Sequence, residues 1–451
     1  MTQPGESRGG RDVVVVEGIR TPYVKAGTAL KDVPAVDLGR IVLRELADRT
    51  DLDLEQVDEV VVGNTGMPAD AANLARVVAL EAGVPEGVPA FTVQRNCASG
   101  MEAITSAALR IRFGEADVVL AGGVESMSNM PLLFPDEFSG VLQGLTRAPS
   151  VPGKLKAASQ LRPRQLKPVV ALLEGLTDPV CGLNMGETAE LLAREYGLSR
   201  EEQDRYALES HRRAVVAQET GRLAEEITPV YVAPRYESVV ERDVGPRREQ
   251  SLEALAKLPP VFDRAFGTVT AGNACMVTDG AAALLLTSAE RARGMDVAPL
   301  GRILSFAYAG CEPSRMGLGP AYAAPRALER AGLTLEDVDL IELNEAFAAQ
   351  VLANRAAFAS GDFAREVLRR DEPIGELDPA RTNVNGGAIA LGHPVGSTGT
   401  RLILTLLKEL RRRGGGIGLA TLCVGGGQGG AVVVEAFGED GPARREASRA
   451  A

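Results

Sequence analysis

The sequence predicts an α/β fold in which one unit is written twice, a five-layer α-β-α-β-α core with a loop domain inserted into its first half. Three observations lead there. Strand-like runs alternate with helical ones from Asp12 onward, the pattern of β-α units around a parallel sheet. The same order of elements recurs in the second half, as an internal duplication would write it. One helix at the corresponding place in each half reads as buried, so two sheets would enclose the pair and further helices would cover the outside.

The first half reads as strand VVVVEGI (13–19), helix AVDLGRIVLREL (35–46), strand VDEVVVG (57–63), helix ANLARVVALEAG (72–83), strand AFTVQ (90–94), the helix that follows Cys97, and strand ADVVLAGG (116–123). The second reads as strand GRILSFAYAG (301–310), helix YAAPRALERAG (322–332), strand VDLIEL (338–343), helix FAAQVLANRAAF (347–358), short strand TNVNG (382–386), helix STGTRLILTLLKELRRRG (397–414) and strand GIGLATLCV (416–424). After Cys97, Met101, Ile104, Ala108 and Ile111 fall at helical spacing and Gly114 supplies the stop. The helix from Ser397 carries Leu402, Ile403, Leu404, Leu406, Leu407 and Leu410 and is apolar most of the way round.

The second half closes with GGGQGG turning directly into the strand AVVVEAF (431–437), whereas the counterpart AAALLLTS (281–288) follows a long insertion of different composition. The expected boundaries are 11–126 and 262–292 for the first core half, 127–261 for the inserted loop domain and 293–438 for the second half. The polar tails 1–10 and 439–451 are expected to be disordered.

A chain of 451 residues has volume for a deep active site. Its formal net charge of -11 argues against non-specific nucleic-acid binding. Five scattered cysteines, with no CxxC pair, read as reduced thiols of a cytoplasmic protein. MTQPGESRGGRD has no apolar run to act as a signal peptide, and no segment approaches the roughly 20 apolar residues of a membrane span. No His/Cys/Asp cluster has metal-ligand spacing.

Cys97, in RNCASGMEAI, stands where unpaired helix N–H groups favour a thiolate. The helix dipole contributes only about 0.3–1 kcal/mol, less than one pKa unit at about 1.4 kcal/mol per unit. A base must therefore help, and on its own Cys97 reads first as a small core residue. The chain has two histidines. His211 lies in the charged helix SREEQDRYALESHRRAVVAQE and is expected at the surface. His393 lies in NGGAIALGHPVGSTG (385–399), between Gly392 and Pro394, a setting that brings backbone close to a ligand and suits a proton acceptor for Cys97.

Gly425, Gly427 and Gly430 formally satisfy G-x-G-x-x-G, but a strand rather than a helix follows, which disfavours a dinucleotide site. What remains is Cys423 at a strand end beside glycine N–H groups able to face an oxyanion. Asn344, in ELNEAFAAQ, reads as a helix cap or as a residue that orders a water.

Together NCASGMEAI, NEAFA, NGGAIALGHPVGSTG and CVGGGQGG resemble the thiolase family, in this order and near these separations, and the duplicated five-layer core is the fold that the resemblance implies. It implies an acyltransferase that cleaves 3-ketoacyl-CoA with CoA through an acyl-cysteine, in fatty-acid β-oxidation, or runs the reverse Claisen condensation. Carried over by motif, Cys97 is the nucleophile, His393 its proton acceptor, and Cys423 the acid/base on the enolate. His393 and a water held by Asn344 stabilise that enolate, and the N–H groups of Cys97 and Gly425 form a second oxyanion hole. GTVTAGNACMVTDGAAALLL, with Ala271 and Cys275, resembles the segment near the pantetheine of CoA, and many members have serine in place of Cys275. Met316 and Phe347 look like walls of the acyl site.

The resemblance also implies CoA as a substrate, no permanently bound cofactor, and a homodimer or homotetramer. GIRTPYVKAGTALKDVPAVDLGR and FAAQVLANRAAFAS look closest to the thiolase subunits of fatty-acid oxidation complexes, which work with a hydratase/dehydrogenase partner subunit. Residues 147–167 carry Arg147, Lys154, Lys156, Arg162, Arg164 and Lys167 without an acidic residue. This segment suits CoA phosphates, a partner subunit or peripheral contact with an anionic membrane surface, and reads equally as a solvated basic helix pair. A catalytically silent lipid- or CoA-binding protein of the same fold is the rival from another class.

Overall fold

A computed structural model describes residues 11–438 except 296; the tails expected to be disordered lie outside the described residues. The first half supplies strands β1 (Val13–Arg20), β2 (Glu59–Gly63), β3 (Ala90–Val93), β4 (Val118–Glu125) and β5 (Thr278–Ser288). The second supplies β6 (Gly301–Gly310), β7 (Leu340–Leu343), β8 (Gly416–Val424) and β9 (Gln428–Ala436). Outward from a central seam the order is β1-β5-β4-β2-β3 on one side and β6-β9-β8-β7 on the other. The expected duplication is thus present in topology, with β1, β5, β4 and β2 matched by β6, β9, β8 and β7.

The fifth position of the second half departs from the expected element order. The expected strand TNVNG is reduced to a single bridge between Ile341 and Thr382. Asn383 takes φ +50°, and its side chain accepts from Leu343 N–H at 2.8 Å and donates to Leu343 O at 2.8 Å. The side chain supplies the bonds that a continuing ladder would have made.

The sheet is mixed, not parallel as the alternation suggested. β2 pairs in parallel with β3 and β4, and β7 with β8, while β5 and β9 run antiparallel to their neighbours. For β9 the cause is local: β8 and β9 are joined by Gly425–Gly427, with Gly426 at φ +87° and Gly427 at φ +76°, and so tight a turn can only return the chain antiparallel. The two half-sheets are also continuous rather than separate, through the short ladder Val14–Arg302 and Val15–Gly301.

Strand alternation builds the layers. In β4, Val118 and Leu120 face outward onto α1 (Ala35–Arg49) and α2 (Leu74–Glu81), while Val119 and Ala121 face inward. The inward cluster holds α3 (Ser99–Phe113) and α8 (Val395–Arg412) between the half-sheets. On the far side α6 (Gly319–Ala331) and α7 (Ala348–Ala359) cover Leu419, Ala431 and Val433. Met101, Ile104 and Ile111 of α3 have no exposed surface, and each such burial contributes about 1.5–3 kcal/mol.

The two buried helices touch where they start. A Cβ on Gly100 would lie 2.6 Å from Thr400 Oγ1 and 2.7 Å from the Gly396 carbonyl oxygen, so glycine is required for this approach.

The insertion contributes α4 (Met185–Glu195) and α5 (Arg200–Glu219), each opened by a capping box, Asn184/Glu187 and Ser199/Glu202. Here the surface assignment of His211 fails. Its helix α5 buries Gln203, Ala207, Ser210, His211, Ala214 and Ala217 at three- and four-residue spacing, while Glu201–Arg205 and Glu209–Arg213 ion pairs occupy the outer face. The charge density of the sequence hid that stripe. His211 is 4% exposed, and its Nδ1 accepts the Arg247 N–H at 3.3 Å. Burial, reinforced by the nearby Arg247 charge, pushes its pKa down to about 4.

Between about pH 4 and 6.5 the unfolded chain binds a proton at His211 that the folded chain refuses, so stability falls as pH falls through this window. His211→Gln keeps an acceptor for Arg247. Between neutral pH and about pH 4 the wild type should lose on the order of 3 kcal/mol more unfolding free energy than this variant. Equal pH dependence in urea titrations would show that His211 is not held neutral.

Candidate active site

Cys97 stands just outside α3, one residue before the cap position Ala98. The preceding turn is tightly tied. Asn96 takes φ +43°, the Arg95 N–H donates to Ser99 Oγ at 2.9 Å, and Ser99 Oγ donates to the Asn96 carbonyl at 2.7 Å. Asn96 Nδ2 donates to the Gly425 carbonyl at 2.8 Å, which joins this turn to the β8–β9 turn of the other half. The N–H groups of Gly425 and of Cys97 itself favour the thiolate, but burial outweighs them and raises the Cys97 pKa. At neutral pH the resting residue is a thiol.

His393 occupies the matching place on α8, one residue before the cap position Pro394. Gly392 takes φ +105°, and the His393 N–H donates to the Met276 carbonyl at 3.1 Å. The ring Nδ1 lies 2.6 Å from Thr398 Oγ1, while Nε2 is buried with no protein partner. Burial and then the Arg401 charge push the imidazole down to about 4, so it is neutral at pH 7 and able to take a proton. Arg401 is itself fully buried and donates from Nη1 to Glu342 Oε2 at 2.7 Å.

Asn344 follows β7, and its N–H donates to the Thr421 carbonyl at 3.0 Å, on β8, which also carries Cys423 near its end. Helix α7 takes Phe347 as its cap position, so Asn344 is not a cap. Its side chain has no exposed surface and neither amide atom has a protein partner, which leaves a donor and an acceptor free for a water or substrate.

Cys423 is 1% exposed and packs in one cluster with Met316, Phe347, Ala346 and the insertion's Met185. Burial and the neighbouring thiols Cys97, Cys275 and Cys311 raise its pKa well above the ordinary range. Cys275 joins this group: its N–H donates to the Ala346 carbonyl at 3.0 Å, and burial, then the nearby Cys97, push it up to about 12. Ala271 stands apart, exposed on the turn that Asn273 holds through the Thr270 N–H at 2.8 Å.

Several supporting residues were not found by motif. Glu345 accepts from Tyr206 Oη at 2.9 Å, Ser210 Oγ at 2.6 Å, Asn383 Nδ2 at 3.0 Å and Ile389 N–H at 3.2 Å. It clamps α5 and the segment before His393 onto the Asn344 loop. Thr398 and Arg401 were visible only as polar residues in an apolar helix, and Arg401 beside LILTLL was the clearer signal.

The chemistry of this arrangement is acyl transfer to sulfur. Cys97 and His393 each stand one residue before the start of helices that meet at their first turns, and Cys423 and Cys275 lie close enough to Cys97 to feel its charge: a thiol, a neutral imidazole with a bare nitrogen and a second protonated thiol suit this chemistry.

The whole chain is similar to known proteins. Residues 13–290 match the family profile "Thiolase, N-terminal domain" and residues 297–436 match "Thiolase, C-terminal domain". A 3-ketoacyl-CoA thiolase of Yersinia pestis (strain Pestoides F) is 45% identical over 434 residues, 96% of this chain and 98% of that protein. The Bacillus anthracis acetyl-CoA acetyltransferase superposes with a TM-score of 0.82 at 40% identity, covering 96% of this chain and all of that one (100%). Human mitochondrial 3-ketoacyl-CoA thiolase in complex with CoA gives a TM-score of 0.80 at 39% identity, over 95% of this chain and 98% of that one. With profiles spanning both halves and a relative similar over nearly its whole length, the chain belongs to the thiolase family.

Proposed function

We propose that this enzyme is an acyltransferase that cleaves 3-ketoacyl-CoA with CoA, giving acetyl-CoA and a shortened acyl-CoA. The observation that carries the reading is the meeting of α3 and α8 at their first turns, which brings Cys97 and His393, each one residue before a cap position, to the same junction. Cys97 gives its proton to His393 Nε2 as its sulfur bonds to the 3-keto carbon, and the resulting alkoxide is held by the N–H groups of Cys97 and Gly425. The C2–C3 bond then breaks to leave an acyl thioester on Cys97 and the enolate of acetyl-CoA. His393, now carrying a proton on Nε2, and a water held by Asn344 stabilise the enolate oxygen. Cys423, kept protonated by its burial, delivers a proton to the enolate carbon.

The cycle closes in balance. The Cys423 thiolate takes the proton of an incoming CoA thiol, CoA sulfur attacks the acyl carbonyl, and Cys97 leaves and recovers its proton from His393. The same steps reversed give the Claisen condensation. Met316 and Phe347 form the acyl wall, with Phe262 set edge-on to Phe347 at 6.1 Å between ring centroids. Cys275 and Ala271 contact the pantetheine arm. We assign the enzyme to β-oxidation in the cytoplasm, as a homodimer or homotetramer with CoA as substrate and no permanently bound cofactor.

The basic segment 147–167 lies among exposed apolar side chains, including Phe134 at 56%, Val151 at 71% and Leu155 at 66% exposure. No helix among the described residues is long and apolar enough to cross a membrane. Exposed apolar residues mixed with Lys and Arg support peripheral docking on an anionic membrane surface or on a hydratase/dehydrogenase partner subunit.

Incubation with a 3-ketoacyl-CoA in the absence of CoA should leave an acyl mass on Cys97 in peptide mass spectrometry. Acylation elsewhere, or none while substrate binds, contradicts the reading and favours a silent binding protein. Cys423→Ala should still acylate slowly yet lose solvent exchange of the acetyl α-protons by about 10²-fold or more. Unchanged exchange would remove Cys423 from its role.

A further inference from the structure

The tautomer of His393 decides whether Nε2 offers a lone pair or a proton, and one hydroxyl fixes it. Counting from the cap position Pro394, His393 is the residue before the cap and Thr398 is the fourth residue of helix α8. Side chains at these two positions meet across the helix entrance, the same geometry in which apolar pairs staple a helix start. Here the pair is polar, with 2.6 Å between Nδ1 and Thr398 Oγ1. Thr398 has no exposed surface, so water cannot substitute freely for either partner.

Thr398 Oγ1 makes a second short contact, 3.0 Å to the Pro394 carbonyl oxygen, one helical turn back. A hydroxyl has one proton, and a carbonyl oxygen can only accept. If the proton pointed at Nδ1, two acceptor oxygens would face each other at 3.0 Å in a buried site. If it points at Pro394, both contacts are satisfied, and the ring must then donate from Nδ1. Nε2, the buried ring atom with no protein partner, is left with its lone pair.

We infer that Thr398 is a positioning residue that holds His393 in the Nδ1–H tautomer through the chain Nδ1–H to Thr398 Oγ1–H to the Pro394 carbonyl, so that Nε2 is always the proton acceptor. The inference deepens the proposed acyl transfer and rests on it for its consequence, but the tautomer itself needs no substrate. It divides the labour on α8: Arg401, held to Glu342 at 2.7 Å, lowers the imidazole pKa through its charge, while Thr398 chooses which nitrogen is bare. Serine would keep this function and valine would remove it.

The test is nitrogen NMR of the full-length protein labelled with [15N]histidine. The chain has only two histidines, so loss of one imidazole in His211→Gln assigns the other. The wild type should show Nδ1 protonated and Nε2 bare; Thr398→Val should lose this fixed assignment, and Thr398→Ser should keep it. Acylation of Cys97 should slow by about 10-fold to 10²-fold in Thr398→Val and stay within a few-fold of wild type in Thr398→Ser. A wild-type Nε2–H tautomer, or an Nδ1–H tautomer that persists unchanged in Thr398→Val, overturns the inference. Should Thr398→Val not fold, the wild-type spectrum still decides. A fixed Nδ1–H tautomer in a protein that never acylates would instead contradict the acyl-transfer proposal and leave Thr398 in its role.

Discussion

The contact on which the rest depends is the meeting of α3 and α8 at their N-termini, between two half-sheets. Both helices are apolar enough to be enclosed, and Gly100 lets their first turns approach to backbone distance. The residue just before each cap is then carried to the meeting point of the two helices from opposite halves of the duplicated fold. Those residues are Cys97 and His393. The duplication supplies two equivalent positions, and the sequence has filled one with a nucleophile and the other with a base.

Enclosure sets the electrostatics. A site walled by Met316, Phe347, Met185 and the strand ends disfavours charge on every group in it, which raises the thiols of Cys97, Cys275 and Cys423 and lowers the imidazole of His393. The three thiols and the imidazole therefore rest neutral. The fixed N–H groups of Cys97 and Gly425 are too weak to ionise the sulfur in advance, but they are already aimed at charge that develops during attack. In such a site a proton moves as a bond forms, and Cys423 keeps its proton until an enolate needs it.

Much of this was legible in the sequence. Element order, the two buried helices and the four motifs placed Cys97, His393, Cys423 and Asn344 at strand or helix junctions, because turn residues and apolar periodicity are local signals. What was hidden depended on partners distant in the chain. The antiparallel return of β9 follows from a glycine turn whose φ values are not written in its letters, and TNVNG reads as a strand until Asn383 takes over the bonds of Leu343. His211 looked exposed because ion pairs on one face of α5 masked the small residues on the other. Thr398 and Arg401 looked like blemishes in an apolar helix until the ring of His393 and the carboxylate of Glu342 were placed against them. Glu345 sits beside a motif residue, yet its clamp requires Tyr206 and Ser210 from the inserted domain.

The central claim is that Cys97 and His393 rest as a neutral pair and exchange a proton only during attack. The pH dependence of Cys97 alkylation by iodoacetamide, followed by peptide mass spectrometry at the single residue, measures this most directly. The account predicts a titration above the ordinary thiol range, with low reactivity at neutral pH. A midpoint well below that range, abolished in His393→Gln, would reveal a preformed thiolate–imidazolium pair and contradict it.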